Sequence, residues 1–167
     1  FAMLSAFLMI PNFSTFFQLN LGFPRDHLGS LYLAGGVLTF FTMRAAGWLI
    51  DRFNAFVVVC FATVFLVALL GFGYLLVPTP LPPFVMFTAF MVAMSTRNVS
   101  LGSLSSRVPH AAERASFMSF QSATQHFASA LGAIASSRLL TQTADGKLVG
   151  MPQVAALAIT FALLVPF

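Results

Sequence analysis

Six polar side chains stand inside otherwise apolar runs: Asn12, Arg97, Asn98, Gln121, Gln125 and His126. Arg97 is the most demanding. Counted from Pro83 at ~1.5 Å per residue it lies ~21 Å along a helix, past the middle of a ~30 Å hydrocarbon layer. A charge at that depth costs at least ~2.5 kcal/mol on insertion scales, so it is expected to face a wet cavity or a partner. Its plainer role is to snorkel to an interface or anchor a structural network. Gln121, Gln125 and Ser129 recur every four residues and so share one helical stripe. Their polar ends could bind a solute, or join helices at ~0.6 kcal/mol each. His126 could relay a proton, but no acid stands near it in sequence, which favours a packing role. Asn12 follows Pro11, which frees a carbonyl and kinks a helix; Asn12 either uses that niche for binding or caps the disturbed backbone. Phe13, Phe16 and Phe17 could form an aromatic wall, although core or lipid contact is the default for Phe in a chain so rich in it.

A second constellation is Gly47-Trp48-Leu49-Ile50-Asp51-Arg52-Phe53. Gly47 and Asp51 are one turn apart and share a face. Glycine lets a neighbouring helix approach, and an aspartate there can meet that neighbour's N-terminus, where the helix dipole favours an anion. Arg52 is expected at the membrane interface. Gly47, Asp51 and Arg52 together predict a conformational latch between helices; a simple solvated loop pair is the alternative.

Composition fixes the class. Hydrophobic residues make up 59% and charged residues 7%, against about a quarter charged in ordinary soluble domains. A surface built from 21 Phe and 8 Met would aggregate in water, so an all-α integral membrane protein is expected. The net charge of +4 is scattered and gives no nucleic-acid signature. One cysteine, Cys60, excludes an internal disulfide framework, and no metal or cofactor motif is present. Neither His-Glu-x-x-His nor Gly-x-Ser-x-Gly occurs, and no two acids pair within a run, so no enzyme is predicted.

The elements that must position these residues are six helices, near 1–19, 28–50, 55–77, 83–106, 112–140 and 152–167. Gly35, Gly36 and Ser30 suit close packing of the second. The third is apolar around its whole circumference and predicts broad lipid contact. Pro78 to Pro83 is a stiff loop. The fifth is the most polar, and Ala128, Gly132 and Ser136 form a small-residue stripe for close helix contact. Residues 141–151 form a loop with an Asp145-Gly146 turn. Placing Asp51 on the cytoplasmic side puts Arg44, Arg52, Arg107 and Arg114 inside, with Arg25, Arg138 and Lys147 outside, a slight positive-inside bias. The chain opens at Phe1 and closes at Phe167 within apolar runs, and is expected to be a stretch of a longer protein.

Gly-x-Leu-x-Asp-Arg-Phe at 47–53, between a second and a third helix, resembles the loop signature of the major facilitator superfamily. Asn54-Ala55-Phe56 replace the Gly and basic residues with which that signature continues. Val108-Pro-x-x-x-Glu113-Arg114 is similar to the family's loop between the fourth and fifth helices. Arg97 and Gly102 are five apart, where first halves carry an Arg and a Gly three or four apart. The resemblance implies the C-terminal six-helix half of a twelve-helix secondary transporter. It further implies a solute bound at the midplane between halves that rock to give alternating access. Partners implied are a small organic solute, the lipid bilayer and the other half, in a bacterial inner membrane, with proton-coupled efflux as the direction. Asp26, Asp51, Glu113 and Asp145 all fall in or beside loops, so a coupling carboxylate would belong to the other half. A non-transporting membrane receptor or assembly protein of the same fold is the alternative. It gains weight if Arg97 meets a packed interior.

Overall fold

A computed structural model describes residues 1–76, 79–110 and 112–166. The chain is built of helices, with one two-stranded hairpin. The first span, α1 (Ala2–Asn20), is continuous in direction but not in winding. Regular helix ends at Met9, Ile10–Asn12 tighten to a 3-10 turn, and Phe16–Asn20 widen to a π turn. Pro11 supplies the cause, since it has no N–H to continue the ladder. Asn12 repairs part of the break by donating from Nδ2 to the Leu8 carbonyl at 3.0 Å, and Gln18 does likewise to Ser14 at 2.9 Å.

Helix α2 (Leu28–Phe53) passes directly into α3 (Ala55–Leu70), which ends in a second π turn, Gly71–Leu75. The junction is Asn54 alone, at φ 82° and ψ 140°. Asparagine visits positive φ more readily than most L residues, and its Oδ1 accepts from the Phe56 N–H at 3.1 Å, capping α3. Helices α4 (Pro83–Ser105), α5 (Arg114–Leu139) and α6 (Met151–Leu163) complete the set. Between α5 and α6, β1 (Thr141–Gln142) pairs antiparallel with β2 (Leu148–Val149). The turn at Asp145-Gly146 closes that hairpin, with Gly146 at φ 79°.

The helices pack as an open arc. α5 lies on α1, α1 on α6, α6 on α3, α3 on α4 and α4 on α2. Phe13 sits at the centre, stacked on Phe17 at 5.6 Å and edge-on to Phe90 at 4.8 Å, so Phe13 and Phe17 form core, while Phe16 lines a concavity near the end of α1. The Ser5 hydroxyl donates to the Ala158 carbonyl at 2.8 Å across the α1–α6 seam.

Two glycines set helix spacing. A Cβ on Gly132 would lie 2.7 Å from the Leu4 carbonyl oxygen, so α5 reaches α1 only because position 132 has none. Gly132 and Ser136 are the buried residues of α5, as the small-residue stripe predicted. A Cβ on Gly35 would lie 2.6 Å from the Phe87 ring, between α2 and α4. Gly36 and Ser30, expected to share that task, do not: Gly36 has open space around it, and Ser30 is exposed, its hydroxyl bonded to His27.

Among the described residues, four helical stretches are long and apolar enough to cross a membrane: Ala2–Asn20, Arg25–Phe53, Ala55–Leu75 and Pro83–Ser105. The chain is therefore an all-α protein of membrane type. The expected count of six spans is met only in part. α5 has 26 residues, ~39 Å at helical rise, but is more polar than these four. α6 has 13 residues, ~20 Å, shorter than a ~30 Å hydrocarbon core. The third helix also differs from expectation. Its uniform apolarity conceals two faces, one buried through Val59, Ala62 and Leu66, the other exposed through Phe61 and Val64.

Candidate functional site

Where α1 begins, α4 and α5 diverge and leave a cleft of about 460 Å³. Asn98, Leu101, Gly102 and Ser105 line it from α4, and Gln121, Gln125 and Ala128 from α5. Each set follows helical spacing, so a single stripe of each helix faces the opening. Phe1, Ala2 and Met3 close one side. Gln121 crosses the cleft, its Nε2 donating to the Ser105 hydroxyl at 3.1 Å. Its Oε1 is buried and has no partner among the described residues, an unfavourable state for an amide oxygen.

The cleft carries no formal charge on its lining side chains. It offers amide and hydroxyl groups beside apolar walls, a surface able to hold an uncharged polar solute through hydrogen bonds. Among the described residues no group of three His, Cys, Asp or Glu side chains is placed to hold a metal ion.

Of the six polar residues singled out in the sequence, Asn98, Gln121 and Gln125 are brought together here. The other three are not. Arg97, expected at a wet cavity, is wholly buried on the packed stripe of α4 with Phe90, Ala93, Met94 and Ser100. One residue is a rotation of about 100° on a helix, which sends Arg97 inward while Asn98 meets the cleft. Among the described residues the guanidinium's one polar contact is Nη1 to the Met94 sulfur at 3.9 Å, and its Nε and Nη2 have no partner. Asn12 is half-buried and occupied with the Leu8 carbonyl, which is its backbone-capping role. His126 is exposed and lies outside the lining.

Ser105 escaped notice in the sequence, although it lies seven residues, two turns, beyond Asn98. Extending the Asn98 stripe along α4 would have found it.

The latch residues lie at the end of α2, which runs through Asp51 and Arg52 before breaking at Asn54. A Cβ on Gly47 would meet nothing within 4 Å, so no helix of this chain uses that gap, contrary to expectation. Asp51 is exposed. The Arg52 guanidinium lies over the rings of Trp48 at 5.7 Å and Phe53 at 5.8 Å, a cation–π arrangement within its own helix.

No protein family, no curated protein and no solved structure matches the chain.

Proposed function

We propose that this chain is half of a secondary transporter that moves a small, uncharged polar solute across a bilayer by alternating access. The observation that carries the reading is the cleft lined by Asn98, Ser105, Gln121 and Gln125, where the amide oxygen of Gln121 has no partner among the described residues. Polar side chains on helices of membrane type are stable only against water, solute or another helix. The order of helices and the 47–53 motif agree with the major facilitator resemblance, and a second six-helix half would close the cleft from its open side. The empty space at Gly47 and the exposed Asp51 then await a helix of that half. Arg44, Arg52, Arg107 and Arg114 favour placing the latch end in the cytoplasm, in a bacterial inner membrane. Efflux coupled to protons completes the reading, with the coupling carboxylate supplied by the other half.

The test is flux into vesicles by the full-length protein, driven by a pH gradient, across a panel of radiolabelled uncharged polar solutes. At least one is expected to move, and Gln125→Leu should cut its rate by about tenfold, as loss of one or two hydrogen bonds implies. Flux unchanged by Gln125→Leu, Gln121→Leu and Asn98→Leu together would remove the cleft from the transport path.

A second reading rests on Arg97. Its burial in a packed stripe, away from the cleft, is what a receptor or assembly protein of the same fold would show. Solute binding at the cleft without any flux would decide for it.

A further inference from the structure

Where α2 gives way to α3 at Asn54, the surface carries an apolar groove of about 340 Å³. Leu49 and Phe53 wall it from α2, Val57 and Phe61 from α3, and Thr96 from α4. Phe53, Val57 and Phe61 are exposed. Thr96 is the one polar residue of the lining, and its hydroxyl already donates to the Val92 carbonyl of its own helix at 2.9 Å. The side chains of the groove thus leave no free donor, and its walls belong to helices of membrane type. Such a space suits hydrocarbon.

One charge stands at its edge. The Arg52 guanidinium lies 5.8 Å from the ring centre of Phe53, a wall of the groove, and 5.7 Å from that of Trp48. Such contacts act through the charge and occupy none of the five N–H donors, which stay free to grip a phosphate in pairs. Arg52 is exposed and is the last residue but one of α2, so it sits where a membrane-type span ends and headgroups begin. The other charges of the three helices are turned elsewhere. At about 100° per residue, Asp51 projects roughly 160° round the helix from Phe53, and Arg44 roughly 180°. Helix α3 has no charged side chain, and Arg97 of α4 is buried. The groove therefore meets a cation and no anion.

We propose that this groove seats one acyl chain of a phospholipid with a net negative headgroup, whose phosphate is held by Arg52. Charge selects the lipid class. One arginine near the surface favours an anionic lipid over a zwitterionic one by about fivefold, and no carboxylate faces the groove to receive an ammonium group. The groove lies on the side of α2 turned away from Gly47 and Asp51, so a lipid seated there leaves that face free.

Trp48, the one tryptophan of the chain, reports on this place. The full chain is reconstituted in phosphatidylcholine with increasing phosphatidylglycerol, the acyl chains of one lipid at a time carrying bromine. Bromine quenches indole fluorescence only at close range, so the two quenching curves give the relative affinity of the lipids beside Trp48. Phosphatidylglycerol should be favoured about fivefold. Arg52→Gln should bring the ratio to one, and Arg52→Lys, which keeps the charge, should retain most of the preference. The seat of the acyl chain is read by moving the indole. Trp48→Phe with Phe61→Trp, in the groove wall, should show the same preference. Trp48→Phe with Phe40→Trp, exposed on the far side of α2, should show none. Equal affinity for the two lipids, a preference that survives Arg52→Gln, one that disappears with Arg44→Gln, or one as strong at Phe40→Trp as at Phe61→Trp would each overturn the assignment.

Discussion

Helices α3 and α5 are each held along one side and open on the other, yet their open sides differ in chemistry. The exposed side of α3 carries Phe61, Val64 and Phe65. α5 divides its surface two ways: one stripe faces the cleft through Gln121 and Gln125 and, further along the helix, meets α1 through Gly132 and Ser136, while Phe120, Phe127 and Ile134 point outward. Exposure in an isolated chain is therefore two different things. On α3 it is apolar throughout. On α5 it is shared between an apolar and a polar stripe, roughly two-fifths of a turn apart. The amides of α5 stand on the same stripe as its two buried small residues, but nearer the start of the helix, where α4 and not α1 lies across from them.

The severest way to break this arrangement is at the anchor. Gly132→Ala places a methyl 2.7 Å from a backbone oxygen, which cannot swing aside as a side chain can. A loss of about 2–3 kcal/mol is expected, at the upper end for overpacking, read as a lowered unfolding midpoint in detergent. Gly36→Ala is the control, with nothing within 4 Å; it should be neutral or stabilising by up to ~1 kcal/mol, the helix propensity gain of alanine. Equal midpoints for the two variants would show that α5 is not seated on α1 through Gly132.

The division between lipid and water can be tested by thiol labelling. In a Cys60→Ala background, Gln125→Cys and Phe61→Cys are reacted with a membrane-impermeant maleimide in vesicles. Thiols react as thiolates, which form in water and not in hydrocarbon. Gln125→Cys should label faster by on the order of tenfold, since a thiol at a wet cleft ionises and one at a lipid face does not. Comparable rates would erase the distinction between the two helices.

Much of this was legible in the sequence, for identifiable reasons. Helix positions followed from long apolar runs broken by Pro and polar clusters, and the Ala128, Gly132, Ser136 stripe followed from spacing alone. Asn54 stands where the loop signature carries Gly, and asparagine is among the few other residues that accept positive φ. Facing direction was harder. α4 shows no strong apolar–polar division, so nothing in its pattern separates inward Arg97 from cleft-lining Asn98, and a charge was assigned to water by cost alone. The π turns were also hidden, since winding of that kind depends on tertiary contact, and with them the role of Asn20. Spatial pairing across 128 residues, as between Asn20 and Leu148, leaves no local trace.

The smallest expected effect concerns the packed side of α3. Thr63 is the one hydroxyl-bearing residue of Ala55–Leu70. It is 2% exposed, and its Oγ1 has no hydrogen-bond partner among the described residues. If the buried side of α3 is purely a packing surface, that hydroxyl contributes only a desolvation cost. Valine has nearly the same shape, with a methyl in its place. Thr63→Val should then stabilise the protein by about 1 kcal/mol, the lower end of the cost of an unsatisfied polar group. Ser129→Ala on α5 makes the comparison, because its hydroxyl bonds only the Gln125 carbonyl one turn earlier, at 2.8 Å. Such back-bonding does little for a helix, and a shift within about 0.5 kcal/mol is expected. Both are read from unfolding midpoints under the same detergent. Destabilisation by Thr63→Val would mean that its hydroxyl finds a polar neighbour in the membrane, and that the two sides of α3 are less unlike those of α5 than their side chains indicate.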